Sequence, residues 1–235
     1  MTEELVQPMG FGKRLLGVFF SPVETFRDIA ERPKFLVVLL LQLAVTLILT
    51  FLLRDKTWEL SLAILQKTGQ SYSAEQLASM KVITLITGLA SSLIVIPIII
   101  LVIAGLLKFF SQFTLGEGSF KAVFSAVTWS MLPTMLGGII TSVLAMFATA
   151  QEMMRISTSL ALFYSSGATT SFAYQFLSRI DFFTIWSLVL MAIGGGLALK
   201  QSPKKVGGFL FVLWLIYAVG VSALGSIFGG QAGMG

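Results

Sequence analysis

The sequence predicts an all-α integral membrane protein: a bundle of five transmembrane helices preceded by amphipathic helices at the cytoplasmic interface. The first observation behind this prediction is composition. Residues of the AVILMFWYC set make up 56% of the 235-residue chain and charged residues only 11%, with a mean hydropathy of +0.90. A soluble domain carries roughly 25% charged residues, so this chain has too few to cover a surface in water. The other two observations are five long apolar stretches and an uneven distribution of Lys and Arg.

Five apolar stretches are long enough to cross about 30 Å of hydrocarbon, which takes roughly 20 helical residues. None of them contains Asp, Glu, Lys or Arg. The first is too long, and begins too far along the chain, for a cleaved signal peptide. The stretches divide the chain into lead-in helices at 1–33, a transmembrane domain at 34–228 and a Gly-rich tail at 229–235. The predicted spans are 35–53, 82–107, 122–150, 182–199 and 206–228.

The basic residues predict the orientation of these spans. The segments on one side of the membrane hold ten Lys and Arg, whereas the longer segments on the other side hold six. The first set consists of 1–34, 108–121 and 200–205. Because basic residues favour the cytoplasmic side, we expect the N-terminus inside and the C-terminus outside, in the plasma (inner) membrane if the cell is prokaryotic. The net charge of +5 then fits anionic membrane lipids. Nothing in the sequence supports nucleic-acid binding.

The segment before the first span predicts short helices. Ser21–Glu24 has the pattern of a capping box with Pro22 at the first helical position, and Pro33 ends the helix that follows. The helix either lies in the membrane interface or packs on the cytoplasmic ends of the spans, and the two interpretations are compatible. Its apolar face is formed by Val23, Phe26, Ile29 and Ala30.

The outer segments carry similar boundary signals. A second capping box at Ser73–Gln76 predicts a helix from about Ala74 to about Phe110, kinked at Pro97. Gly69 fits the end of a helix over 57–67, and Asp181 fits the cap of the fourth span. The loop 151–181 is rich in Phe and Tyr, which is typical of an interfacial aromatic belt.

The chain lacks the side chains that most membrane enzymes and ion-coupled transporters use for chemistry. It has no His and no Cys, and its predicted spans contain no ionisable group. This argues against proton-coupled transport, intramembrane proteolysis and metal chemistry. The acidic residues outside the spans are expected to form caps or pairs with near neighbours: Glu117 with Lys121, Glu152 with Arg155, and Arg179 with Asp181. We therefore predict no catalytic, cofactor-binding or metal-binding residues, no cofactor and no enzyme activity.

Neutral polar residues in the spans are the remaining candidates for contacts. Such residues hydrogen-bond between helices in a bundle, or they line a groove for a lipid headgroup or a helix of another protein. Both interpretations stay open. The candidate contacts with a partner or with lipid are Phe26, Gln42, Thr46, Thr128, Trp129 and Pro133.

Three ordered stretches together resemble prokaryotic members of the Yip family, named after proteins that interact with Ypt/Rab GTPases. They are Phe19–Arg27 with Arg32-Pro33, Gly118–Ser125 running on to Pro133, and Ile180–Trp186. The resemblance covers nearly the whole chain and implies five membrane helices with a cytoplasmic N-terminus. The eukaryotic relatives are non-enzymatic membrane adaptors. They carry a longer acidic N-terminal region with no counterpart here, so a Rab-type GTPase is not among the expected partners.

Two functions are compatible with this sequence. The first is a scaffold or accessory subunit that binds membrane lipids and other membrane proteins. The alternative is a carrier or pore-like component for lipid or a small neutral solute. A cavity lined by Gln42, Thr46 and Thr128 would favour the carrier, and a solidly packed bundle would favour the scaffold.

Overall fold

The computed structural model describes residues 8–67, 69–153, 155–164 and 169–231. Within these ranges the regular structure is helical, apart from an isolated β-bridge between Ser159 and Asp181. The all-α prediction is therefore confirmed. The α-helices are α1 Phe11–Phe20, α2 Pro22–Glu31, α3 Leu36–Leu52, α4 Arg54–Lys67, α5 Ala74–Phe113, α6 Phe120–Ser130, α7 Leu132–Phe147, α8 Ala150–Met153, α9 Phe172–Leu177, α10 Phe182–Ala198 and α11 Pro203–Gln231, with a 3-10 helix at Leu160–Phe163.

Three helical stretches are long and apolar enough to cross a membrane: Ala74–Phe113, Phe120–Phe147 and Pro203–Ile227. Helices α2 and α3 would together give a fourth, but they are bent by 117° at the break between them. Helix α10 is apolar and has 17 residues. The described structure is thus a helical membrane protein with three to four candidate spans.

Several predicted helix boundaries are confirmed. The second capping box forms, because Gln76 N donates to Ser73 Oγ at 3.2 Å and Ser73 N donates to Gln76 Oε1 at 2.8 Å. Asp181 caps α10 by accepting from Thr184 N at 2.8 Å. Gly69 has a φ of +68°, the left-handed conformation that favours glycine after a helix. Helix α5 begins at Ala74 as predicted and continues through Pro97 to Phe113.

The capping box predicted at Ser21 is wrong, although Pro22 does begin α2. The Ser21 side chain makes no capping hydrogen bond. The physical reason is that Ser21 serves two helices: it also ends α1, where its N–H donates to Gly17 O at 2.8 Å. Its carbonyl in turn accepts from Thr25 N at 3.1 Å.

The predicted third span consists of two helices that break at Met131. Proline has no N–H, so Pro133 cannot donate to Trp129 O and the helical hydrogen bonding of α6 cannot continue past it. Pro133 instead lies in the first turn of α7, where a missing N–H has no cost. Ser119 begins α6 by accepting from Ala122 N at 3.2 Å.

The three near-neighbour ion pairs are not found among the described residues, but the expected capping role is confirmed for Glu152 and Asp181. Glu117 pairs with Lys200 at 3.2 Å. Glu152 accepts from Thr149 N at 2.8 Å, and this hydrogen bond, with a second from the Thr149 hydroxyl, lowers the pKa of the carboxyl. The Arg179 guanidinium lies 5.9 Å from the centre of the Tyr217 ring, and Asp181 accepts from the Thr158 hydroxyl.

The chain groups into two compact units. The first contains the described residues up to Leu39, together with Ile99–Leu132 and Trp186–Leu215. The second contains Leu40–Ile98, Pro133–Ile185 and the described residues from Ile216 onward. Residues 1–7 of the predicted lead-in, residues 154 and 165–168 of the aromatic loop and residues 232–235 of the predicted tail lie outside the described residues.

Candidate functional site

Helices α1 and α2 form a tight hairpin in the first unit. Gly17 permits the close approach, because a Cβ there would lie 2.2 Å from Thr25 Oγ1. The Thr25 hydroxyl donates to Ser21 O at 2.9 Å. The two helices of the lead-in are thus packed against each other rather than extended along a surface.

A buried ion pair connects the open ends of the hairpin. Arg14 Nε donates to Asp28 Oδ2 at 2.6 Å, and the two side chains are only 3% and 7% exposed. Arg14 Nη2 also donates to the carbonyl of Arg32 at 3.1 Å, and Arg32 Nη1 donates to Asp28 Oδ1 at 3.1 Å. Because the guanidinium and the carboxylate each have several partners, the cost of burying both charges is offset.

Phe26 attaches the hairpin to α10. Its side chain is fully buried, and it occupies the space that a side chain at Gly194 would need: a Cβ there would lie 2.6 Å from Phe26 Cδ1. Further along the same helix, the rings of Phe19 and Trp186 meet edge to face at 5.4 Å. The absence of a side chain at Gly194 therefore leaves the space that the Phe26 ring fills, and we call this contact the Phe26 socket.

Trp129 of α6 holds the other side of the lead-in. Its indole N–H donates to the carbonyl of Lys34 at 3.0 Å, which fixes the segment between α2 and α3. Phe11 packs on the Trp129 ring at a centroid distance of 5.5 Å. Phe35 packs on Phe124 at 4.8 Å. Trp129 thus has a structural hydrogen bond that also satisfies its buried N–H.

Two turns of the first unit, 114–119 and 199–202, are hydrogen-bonded to each other. Glu117 N donates to Leu199 O at 3.2 Å, and Gln201 Nε2 donates to Thr114 O at 2.7 Å. Gly118 leaves no room for a side chain, since a Cβ there would lie 1.8 Å from Ala198 O. Both turns contain a left-handed residue other than glycine, Leu115 at φ +56° and Lys200 at φ +54°.

A groove of about 310 Å³ opens between α2, the start of α6 and the end of α10. Its lining includes two basic and two acidic side chains. Lys200 and Glu117 pair with each other, whereas Arg27 makes no ion pair within the described ranges. The groove is therefore a polar, zwitterionic surface feature. It is lined by Arg27, Ala30, Glu31, Glu117, Gly118, Ser119, Ala122, Leu197, Ala198 and Lys200.

The predicted contact residues are divided between the two units. Phe26, Thr128 and Trp129 belong to the first unit, whereas Gln42, Thr46 and Pro133 belong to the second. The hydroxyl of Thr46 donates to Gln42 O at 2.9 Å, and that of Thr128 donates to Phe124 O at 2.7 Å. These hydroxyls are satisfied within their own helices, so they do not need a ligand or partner for hydrogen bonding.

Sequence reasoning missed the Arg14–Asp28 pair, the Gly118 contact and the groove, because each joins residues that are far apart in the chain. The Gly194–Gly196 run was the available signal for a close approach, but it does not name Phe26 as the neighbour.

Comparison with known proteins finds similarity over most of the chain. A 31% identical relative, membrane protein YknW of Bacillus subtilis (strain 168), aligns over 221 residues, which is 92% of each chain. No solved structure matches the chain. The model of the Yip1 domain matches residues 16–225, which include all but the first residues of the hairpin, α6, α10 and most of α11. The chain therefore belongs to the Yip1 domain family of membrane proteins.

Proposed function

We propose that this protein is a non-enzymatic scaffold or accessory subunit that binds other membrane proteins. The observation that carries the proposal is the use of its acidic side chains. A chain without His or Cys would need carboxylates for most acid–base or metal chemistry. Asp28 is held in the buried ion pair, Asp181 caps a helix and Glu117 is paired with Lys200. These carboxylates stabilise the fold.

The proposed membrane arrangement has five spans, with the N-terminus in the cytoplasm and the C-terminus outside, in the plasma membrane of a prokaryotic cell. Helices α3 and α10 have 17 residues each, or about 25 Å at 1.5 Å per residue, the lower limit for a span. The stretches α5, α6–α7 and α11 supply the other three. The lead-in at 1–33 precedes this transmembrane domain at 34–228.

In this arrangement the groove faces the cytoplasm. Arg27, which forms no ion pair with the part of the chain that the structure describes, and the exposed Glu31 can each bind an oppositely charged side chain, which suits a polar segment of another membrane protein. The buried side chain of Phe26 fixes the position of this surface, because it packs α2 against α10. Phe26 acts on partner binding through the position of the hairpin.

The test is recovery of membrane proteins that co-purify with the full-length chain in mild detergent. Arg27→Glu should reduce recovery of a specific partner while leaving the folded fraction unchanged. Phe26→Asp should reduce it further, because the whole hairpin detaches. Glu75→Arg, an exposed change at the start of α5, is the matched control and should recover every partner. Full recovery with both Arg27→Glu and Phe26→Asp would contradict a scaffold role for this surface.

A further inference from the structure

The α1–α2 hairpin is polarised along its length. Its closed end, Leu15–Val23, contains nine residues without a charge. Its open end carries Lys13 on α1, Arg27 on α2 and Lys34 beyond α2, all exposed. The Arg14–Asp28 pair is also closer to the open end. A hairpin that only packed on a water-facing surface would have no need for this separation.

The hairpin follows α10 for most of the length of that helix. The groove brings Arg27 and Glu31 to Leu197–Lys200, the buried Phe26 ring lies at Gly194, and Phe19 meets Trp186. Trp186 and Ala198 are twelve residues apart, which is about 18 Å along a helix. The Phe19 ring at the closed end of the hairpin therefore contacts α10 well away from the C-terminal end of that helix.

One face of the closed end is not covered by any of the described residues. Phe20 is 84% exposed, Leu16 is 63% exposed and Val23 is 50% exposed. Leu16 and Phe20 lie one turn apart on α1, so they form a continuous apolar strip. At the same level, one turn from Trp186, the α10 side chain of Val189 is also half exposed. The strip thus continues the apolar outer surface of a helix proposed to span the membrane.

From these contacts we infer that the α1–α2 hairpin is a wedge inserted into the cytoplasmic leaflet, with Leu16, Phe20 and Val23 in contact with lipid acyl chains. The inference rests on the proposed arrangement in which α10 crosses the membrane. Burial of the apolar strip drives the closed end into the leaflet, and the basic open end stays among anionic headgroups.

Glu24 sets how deep the wedge reaches. This residue follows Val23 directly and is exposed on the first turn of α2. Because a carboxylate in hydrocarbon is costly, its side chain must extend to the headgroup layer. Because Trp186 lies about 18 Å from the cytoplasmic end of α10, the contact of Phe19 with Trp186 brings the closed end toward the middle of the bilayer, and the Glu24 carboxylate limits how much farther the hairpin can enter.

The experiment uses single nitroxide labels on the full-length protein in vesicles of phosphatidylethanolamine and phosphatidylglycerol. The chain contains no cysteine, so each introduced cysteine is the only labelling site. The labelled variants are Phe20→Cys and Leu16→Cys for the wedge, Gly12→Cys for the open end and Val189→Cys for α10. The measurement is the ratio of collision rates with oxygen, which enters the acyl region, and with a water-soluble nickel complex.

We expect a severalfold higher oxygen-to-nickel ratio at positions 16 and 20 than at position 12, with position 189 at least as high. A ratio at 16 and 20 equal to that at 12, with 189 high, would overturn the wedge but leave the five-span proposal intact. A low ratio at 189 would instead contradict the span. Labels at 16 and 20 that reach neither reagent would place a protein surface on the strip, and that result also overturns the lipid contact.

Discussion

At the scale of single residues, the attachment of the lead-in depends on one aromatic ring and one glycine. Phe26 is fully buried against Gly194, and truncating a buried Phe to Ala costs about 3–5 kcal/mol in other proteins. This cost exceeds that of most changes at a protein surface. The pair is therefore the natural place to test whether the hairpin is part of the folded unit.

Gly194→Val should destabilise the protein, because its side chain would overlap the Phe26 ring. Combining it with Phe26→Ala should recover part of the loss, since the added methyl groups fill the space left by the ring. Thermal unfolding in detergent measures all three variants. Gly138→Ala is the control, because nothing lies within 4 Å of a Cβ at that position. Equal losses of thermal stability in Gly138→Ala and Gly194→Val would contradict the close packing of Phe26 on Gly194.

The buried ion pair gives a second prediction. Asp28→Asn leaves the Arg14 guanidinium buried without its counter-charge, and breaking such a pair costs about 3–5 kcal/mol. Glu117→Gln breaks the exposed pair with Lys200 and should cost under about 1 kcal/mol. The comparison is made by unfolding in detergent at neutral pH. Similar stabilities of the two variants would show that the Arg14–Asp28 pair is not structural.

At the scale of elements, the sequence predicted what depends on local chemistry. Helix α5 begins at its Ser73 capping box, and Gly69 and Asp181 act where they were expected to act. Ser21 failed as a cap because α1 competes for the same residue. The groove and the Phe26 socket also could not be predicted, since they depend on which helices become neighbours. Periodicity indicates that a face is buried but does not identify what covers it.

Gly118→Ala should separate the two connected turns of the first unit. A Cβ at Gly118 would lie 1.8 Å from Ala198 O, and a backbone atom cannot rotate away as a side chain can. We expect a large loss of thermal stability and greater protease sensitivity between α5 and α6. Gly105→Ala, which lies within α5 with open space around it, should be neutral. A Gly118→Ala variant as stable as the parent protein would show that the contact between the two turns does not stabilise the fold.

Helices α4 and α5 are joined by an ion pair that depends on pH. Lys81 Nζ lies 3.0 Å from Asp55 Oδ1, and this hydrogen bond with the lysine charge lowers the pKa of the carboxyl. Since the folded pKa is below the unfolded value of about 3.9, the stabilisation is complete above that value and is lost as the pH falls through the lowered pKa. The pair is exposed, so we expect a small effect.

The measurement is the distance between spin labels on α4 and α5 as the pH is lowered from neutral to about 3, which crosses the ordinary carboxyl pKa. The parent protein should show a slightly longer distance between the labels at acid pH, and Asp55→Asn should show that longer distance at every pH. Glu59→Gln is the control, because Glu59 pairs with Lys56 on its own helix. The same acid response in Asp55→Asn would assign the change to another group.

At the scale of the whole molecule, topology is the prediction on which the partner surface and the wedge both depend. The excess of ten basic residues over six and the proposed odd number of spans predict that the N-terminus and Lys204 lie inside and that Gly69 and the C-terminus lie outside. Reporter fusions at these positions measure the side directly. An inside signal at the C-terminus would break the five-span arrangement, and α3 and α10 are the helices to re-examine because each has only 17 residues. If α10 failed to span, the closed end of the hairpin would lie in water with Phe20 84% exposed. In that case the lipid contact proposed for Leu16, Phe20 and Val23 would fail together with the span.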